Sequence, residues 1–248
     1  MPVVITEVIK RASQGGSAPY ICRGDDGQTY FVKNRSLPRR ELVAEYVCAT
    51  LAQALGLPVP PWCVAEVPPE LVSTSMGTWM SALGAGPAFA SQAVQGTELG
   101  WHQAQEVEPA LQALVAAFDW WVLNMDRSLT ALGGNPNLLW SAGGVEPELV
   151  VIDHNLAFDP AFDAVLFLET HVFRDEFRRL VADYIDREAV RQAFLLAWPA
   201  VQEACATIPE EWRFVDPERT IPATWTEVEF QQLLSRCSDE QGFWKLEP

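Results

Sequence analysis

Asp126 and Asp153 each follow an apolar stretch, and Asn135 and Asn137 stand between them. A carboxylate at such a position can orient and deprotonate a hydroxyl group. A second carboxylate with nearby amide carbonyls supplies the oxygens that a hard divalent cation prefers. Transfer of a phosphoryl group requires that division of labour. Upstream, Gly15, Gly16 and Ser17 form a glycine-rich turn whose backbone amides can approach phosphate oxygens closely, because no Cβ intervenes. Lys33 ends the run Tyr30-Phe31-Val32, and Glu41 and Glu45 follow one helical turn apart. A lysine held by a helix glutamate is a recurrent phosphate ligand. Taken singly, each feature has a plainer reading: Asp after a strand forms turns, Asn-Pro opens loops, and Gly-Gly-Ser is a common turn. The order of the whole set is what gives it weight.

These residues need elements to hold them. Pro2 to Ile9 alternates and is β-branched, Tyr20 to Arg23 is a second apolar run, and Asp25-Asp26-Gly27 is a hairpin turn signal before Gln28 to Lys33. Three strands are expected here. Arg39 to Leu55 reads as a helix with Leu42, Tyr46, Ala49, Leu51 and Leu55 on its apolar face, Gly56 as its cap and Pro58 as its stop. Trp62 to Val67 is expected as a strand, and Phe89 to Val94 as an edge strand leaving the first lobe. Residues 106–122 carry apolar side chains at helical spacing and deliver the chain to Asn124, Asp126, Arg127 and Ser128. Leu149 to Ile152 then runs straight into Asp153. Beyond it, helices are expected over 161–170, 174–184, 187–206 and near 227–236. The architecture is thus an α+β fold of two lobes, a small antiparallel sheet with a helix (1–95) and a mostly helical part (96–248).

The chain has 33 acidic and 17 basic residues, a formal charge of −16. On average such a surface repels polyanions, which disfavours nucleic acid as a partner. The charge is uneven: residues 10–40 carry seven bases and two acids, a local +5, against −21 elsewhere. A small anion could be accommodated there. Five cysteines without a CxxC pair read as reduced, mostly buried thiols, and three dispersed histidines do not form a zinc motif. The stretch Pro2 to Ile9 is only eight residues long and precedes Lys10 and Arg11, the wrong order for a secretory signal, and the stretch 110–123 contains Asp119 and is too short to span a bilayer. A cytoplasmic protein without a membrane partner is the expectation.

Three stretches carry a resemblance. NMDRSLTALGGNPNLLW, LVVIDHN and ALGLPVP, with GGSAPY and FVK upstream and Ile208-Pro209-Glu210-Glu211-Trp212 downstream, resemble the HipA-like kinases, especially a short subgroup with Asp-Arg-Thr, Asn-Pro-Asn-Leu-Leu and Ile-Asp-His-Gly motifs. The resemblance spans about residues 5–215. It implies a protein-kinase-like fold and transfer of the γ-phosphoryl of ATP, with Mg²⁺, to a Ser or Thr hydroxyl of an acceptor such as a protein. It also implies that Lys33 contacts the α and β phosphates, with Glu45 rather than Glu41 as its partner. Asp126 would be the catalytic base with Arg127 beside it, and Asn135 and Asp153 would hold the metal. Gly15, Gly16 and Ser17 would cover the phosphates, and Ala90 and Gln92 would lie on the strand beside adenine.

Two departures from the family pattern bear on this reading. The metal asparagine stands nine residues after the catalytic aspartate instead of five, so Ser128 to Gly134 carries an insertion and Asn137 becomes an alternative ligand. Asn155 replaces a glycine after Asp153, where asparagine tolerates positive φ better than most residues. The insertion also leaves room for two other readings, a nucleotide-binding pseudokinase and an enzyme that transfers AMP.

Overall fold

The computed structural model describes residues 2–12, 17–73, 78–141 and 148–245. The chain forms two compact units, neither of them contiguous in sequence: Met1–Tyr46, Pro60–Val94 and Ile208–Trp225 make one, and the remaining segments make the other.

The first unit is built on a five-stranded antiparallel sheet. Its elements are β1 (Ile5–Arg11), β2 (Tyr20–Gly24), β3 (Thr29–Lys33), the first half of α1 (Arg39–Ala54), β4 (Trp62–Val67), the short α2 (Pro69–Ser73) and α3 (Thr78–Ser81), and β5 (Gly86–Gln92). The strand order is β1-β2-β3-β5-β4. The turn between β2 and β3 is closed by Gly27 at φ +78°, with its N–H on the Gly24 carbonyl at 3.0 Å, while Asp26 accepts from the Gln28 amide at 2.9 Å. A residue with a Cβ would be strained at that φ. β5 departs from the edge position expected for it. It pairs with β3 on one side and β4 on the other. Ala88, Phe89 and Ala90 are buried, so the strand is an interior one, with both its ladders satisfied.

In α1, every residue from Leu42 to Ala49 is buried, including Glu45. The helix is therefore enclosed over most of its circumference, rather than on one stripe. It ends in a Schellman motif: Leu57 N–H bonds the Ala52 carbonyl at 2.9 Å, Gly56 N–H bonds that of Gln53 at 3.1 Å, and Gly56 takes φ +72°. The segment Ile208–Trp225 belongs to the sheet unit through Trp212, which is wholly buried, donates from its indole to the Pro87 carbonyl at 2.8 Å and meets Tyr46 edge-on.

The second unit holds the C-terminal half of α1 and β6 (Thr97–Glu98), α4 (Trp101–Ala104), α5 (Pro109–Trp121), β7 (Ser128–Thr130), β8 (Gly133–Asn135), β9 (Leu138–Ser141), β10 (Glu148–Val151), α6 (Ala164–Thr170), α7 (Arg174–Ala182), α8 (Tyr184–Leu196), α9 (Trp198–Ala206) and α10 (Glu227–Leu234). The single helix expected over 187–206 is two, because Pro199 starts a new helix. α5 begins with Pro109 at its first turn and the Glu108 carboxylate on the Leu111 amide. Its second half, Val115 to Trp121, is buried without a break, and Trp121 stacks on Phe194 with ring centres 4.4 Å apart. The insertion after Asp126 is a small hairpin, β7 against β8, with Ser128 paired to Asn135 and Leu129 to Gly134. Among the described residues, no helix is long and apolar enough to cross a membrane.

Candidate active site

Each unit carries one set of the residues singled out by the sequence. In the first, Lys33 ends β3 and reaches back to α1, where its Nζ lies 3.1 Å from Glu45 Oε2. Both side chains are about 7% exposed. Position along the helix, not its phase, separates the two glutamates: Glu45 lies within the enclosed stretch of α1, whereas Glu41, one turn earlier on the same face, is half-buried. Taking both charges out of water is costly, and the ion pair recovers that cost only while both partners remain. Ser17 is buried beside Ala18 at φ +38°, and Gly15 and Gly16 lie outside the described residues. On β5, Phe89 is opposite Lys33, Ala90 opposite Val32 and Gln92 opposite Tyr30. Ala90 is wholly buried in the core of the sheet with Ile5, Tyr20 and Val32. Gln92, at the strand end, donates its amide to Gln28 at 2.8 Å.

In the second unit, Asp126 follows α5 through a tight exit. Leu123 takes φ +54°, and the Asn124 N–H returns to the Asp119 carbonyl at 2.8 Å. The Asp126 carboxylate then sits between two asparagines. Asn135 donates to its Oδ1 at 2.9 Å and Asn137 to its Oδ2 at 2.9 Å. A second bond, 2.5 Å from the Asn137 amide to the Asp126 carbonyl, ties the two backbone segments. The β7–β8 hairpin is what returns Asn135 to Asp126 across nine residues. Asn135 is exposed, whereas Asn137 is half-buried at φ +47°. Asp153, half-buried, follows β10 at φ +57°, where the chain turns sharply.

Arg127 is the fixed point of this loop. It is wholly buried, and its Nε meets Asp119 Oδ2 at 2.6 Å. Its Nη1 donates to the carbonyls of Pro136, at 3.1 Å, and of Asn137, and to that of Ile152, the residue before Asp153, at 3.4 Å. One guanidinium thus binds the backbone at or next to three of the polar residues, Asn135, Asn137 and Asp153, belongs to the residue that follows Asp126, and draws its counter-charge from α5. Its Nη2 lies 3.0 Å from His154 Nε2. Since a guanidinium only donates, that nitrogen accepts and His154 is neutral.

Asp119 was visible in the sequence only as a charge interrupting an apolar helix. The fold buries it completely and surrounds it with donors: Asn124 Nδ2 at 2.8 Å, Arg127 Nε, and His171 Nε2 at 3.0 Å. Burial alone would raise its carboxyl, but Arg127 and the His171 N–H hold it well below the usual carboxylate range. His171 accepts the Phe173 amide on Nδ1 at 3.1 Å, so its proton sits on Nε2. Burial lowers its pKa and outweighs the attraction of Asp119. Neither histidine nor Asn124 had a role in the sequence reading, and a lone aspartate on an otherwise apolar helix face was the one signal that pointed here.

The two carboxylates and two amides of the second unit supply oxygen donors, the kind that suits Mg²⁺. Among the described residues, no three His, Cys, Asp or Glu side chains gather as a metal cage. Such a set fits a cation that shares its coordination with phosphate oxygens, since Mg²⁺ is commonly held by one or two carboxylates plus substrate.

The family model described as HipA-like kinase matches residues 5–247. No curated protein matches in sequence. Among solved structures, the Helicobacter pylori proinflammatory kinase CtkA is similar at a TM-score of 0.50 and 12% identity, with 97% of this chain and 95% of that one covered. This likeness shows a kinase-like α+β fold. A Golgi casein kinase solved with Mn/ADP bound aligns at a TM-score of 0.44 and 10% identity, over 99% of this chain and 72% of the other.

Proposed function

We propose that the chain, which belongs to the HipA-like kinase family, transfers the γ-phosphoryl group of ATP to a Ser or Thr hydroxyl of an acceptor such as a protein. The observation that carries this reading is the Asp126 carboxylate, with each oxygen held by an asparagine amide. Anchored in this way, it is oriented to accept a proton. The acceptor oxygen forms its bond to the γ-phosphorus as the bond to the β–γ bridging oxygen breaks, and the hydroxyl proton passes to Asp126. Lys33, positioned by Glu45, takes the α and β phosphates, and Gly15, Gly16 and Ser17 cover them. Adenine is placed at the end of β5, by Gln92, because Ala90 is taken up in the sheet core.

Asp153 and Asn135 are the oxygen donors for Mg²⁺, which when bound neutralises charge on the transferring phosphate. Asn137 spends its amide twice on Asp126 and acts as a positioning residue, whereas Asn135 makes one bond and is exposed. The β7–β8 hairpin absorbs the insertion that favoured a pseudokinase.

The test is nucleotide turnover with Mg²⁺ by the wild type and by Asp126→Ala, with mass spectrometry of the products. Release of ADP, reduced about 10²- to 10⁴-fold in the variant, is expected. Nucleotide binding with turnover no greater than that of the variant would make the chain a pseudokinase. Pyrophosphate release with a product carrying AMP would make it an AMP transferase.

A further inference from the structure

The proposed reaction uses none of the five arginines in residues 10–40, and two of them, Arg35 and Arg39, line one cavity. Arg39 opens α1 and is 8% exposed. Its Nε donates to the Phe214 carbonyl and its Nη1 to Asn34 Oδ1, each at 3.0 Å. Among the described residues, no carboxylate comes within ion-pair distance of it. Buried charges are ordinarily paired, so this one stands out.

A charge of the same sign acts on it. Burial first, and then Arg35, push the Arg39 pKa down. Arg35 is held against this repulsion by its surroundings. Its N–H bonds the Leu83 carbonyl at 3.1 Å, and Asn34 Nδ2 bonds that of Gly84 at 3.3 Å. The Arg35 side chain crosses Gly84 so closely that a Cβ there would fall 2.4 Å from Arg35 Cδ, and Gly84 takes φ +73°. Among the described residues, the Arg35 guanidinium has no hydrogen-bond or ion-pair partner.

Asn34, Arg35 and Arg39 line a cavity of about 30 Å³, with Glu211, Asp216 and Arg219 on the other side. The two acids there are already engaged. Glu211 pairs with Arg219 at 2.6 Å, and Asp216 accepts from the Thr220 hydroxyl at 2.7 Å and from the amides of Thr220 and Ile221. Two guanidinium groups four residues apart therefore line one small space with no carboxylate within ion-pair distance of either among the described residues, although Asp216, ionised and held by Thr220 and Ile221, lines it too.

We infer that this cavity is an anion site for a phosphate group, bound by Arg39 from inside and Arg35 from the rim. A tetrahedral oxyanion offers acceptor oxygens to both guanidinium groups at once, and phosphate is a preferred partner of the guanidinium fork. The phosphate is either free in solution or carried on a phosphorylated side chain. The cavity lies wholly in the sheet unit, and it is made of none of the residues assigned to phosphoryl transfer.

The experiment is calorimetric titration of the full chain, at fixed ionic strength, with inorganic phosphate and with a short phosphoserine peptide. The wild type, Arg35→Ala and Lys33→Met are compared. Arg35 is exposed, so its variant keeps the fold, and it is expected to keep its nucleotide turnover. Binding by the wild type and Lys33→Met, weakened about tenfold or more in Arg35→Ala, supports the site. Preference for the peptide identifies a phosphorylated side chain as the source; equal or tighter binding of phosphate identifies the free ion. A wild type that binds neither probe overturns the inference. So does binding that survives Arg35→Ala but is lost in Lys33→Met, which would belong to the nucleotide site. A thermal midpoint raised by phosphate over chloride in the wild type but not in Arg35→Ala gives an independent reading, since a ligand that binds the native state raises its stability.

Discussion

Arg127 and Asp126 are neighbours with opposite situations. Arg127 is wholly buried and spends its donors on Asp119 and on backbone carbonyls, while Asp126 is half-buried and held by amides. The first is a structural clamp and the second a reactive group, so their substitutions separate by readout. Arg127→Ala leaves Asp119 buried without its counter-charge, and chemical denaturation is expected to show a loss of about 3–5 kcal/mol. Asp126→Ala leaves no buried charge behind and is expected to reduce turnover with a small change in stability. Equal stability losses in the two variants would contradict this division. Glu45→Gln is expected to act on both measures. It removes the charge that offsets a buried Lys33, so stability falls by about 3–5 kcal/mol, and the KM for ATP rises as the lysine loses its position.

Elements position these residues through backbone geometry that tolerates little change. In the β7–β8 hairpin, Gly134 lies against Ser128 so closely that a Cβ would sit 2.3 Å from the Ser128 carbonyl oxygen. Gly134→Ala must push the two strands apart, at a cost of about 1–3 kcal/mol. Since Asn135 is the next residue, the variant is expected to lose turnover out of proportion to its change in thermal midpoint. Normal turnover in Gly134→Ala would show that Asn135 need not be held by the hairpin. The insertion is thus an ordered element with a defined register.

The whole molecule is acidic, with a formal charge of −16, yet its response to acid is set by a few buried groups. His171 has a lowered pKa in the folded chain, so the unfolded chain binds its proton first. Its contribution to stability is complete above its ordinary value of 6.5 and is lost as the pH falls below it. Asp119 is also lowered, and its contribution fades only below its ordinary value of 3.8. Thermal midpoints are therefore expected to fall between pH 7 and pH 5, and His171→Gln to flatten that decline. A midpoint independent of pH over this range would place the His171 proton differently.

Much of this was legible in order along the chain. The alternation of β1, the Asp25-Asp26-Gly27 turn, the α1 cap at Gly56 and the apolar spacing of α5 are local patterns, and local sterics and hydrogen bonding fix them wherever they occur. The same holds for the types of the motif residues, since Lys33, Asp126, Asn135, Asn137 and Asp153 could be named from type and spacing, while the choice of Glu45 over Glu41 came only from the family resemblance. What the sequence could not give is pairing at a distance. The interior position of β5 depends on β4 returning beside it, and the enclosure of α1 depends on what covers its remaining sides. The membership of Ile208–Trp225 in the sheet unit rests on Trp212 and Arg39 finding Pro87 and Phe214. The partner of Arg127 lies eight residues back on a helix face that read as plain core. By itself, then, the sequence determined the local elements and the chemical types available. The tertiary structure decided which charges are buried together and which are left facing open space, because burial and ion pairing depend on residues far apart in the chain.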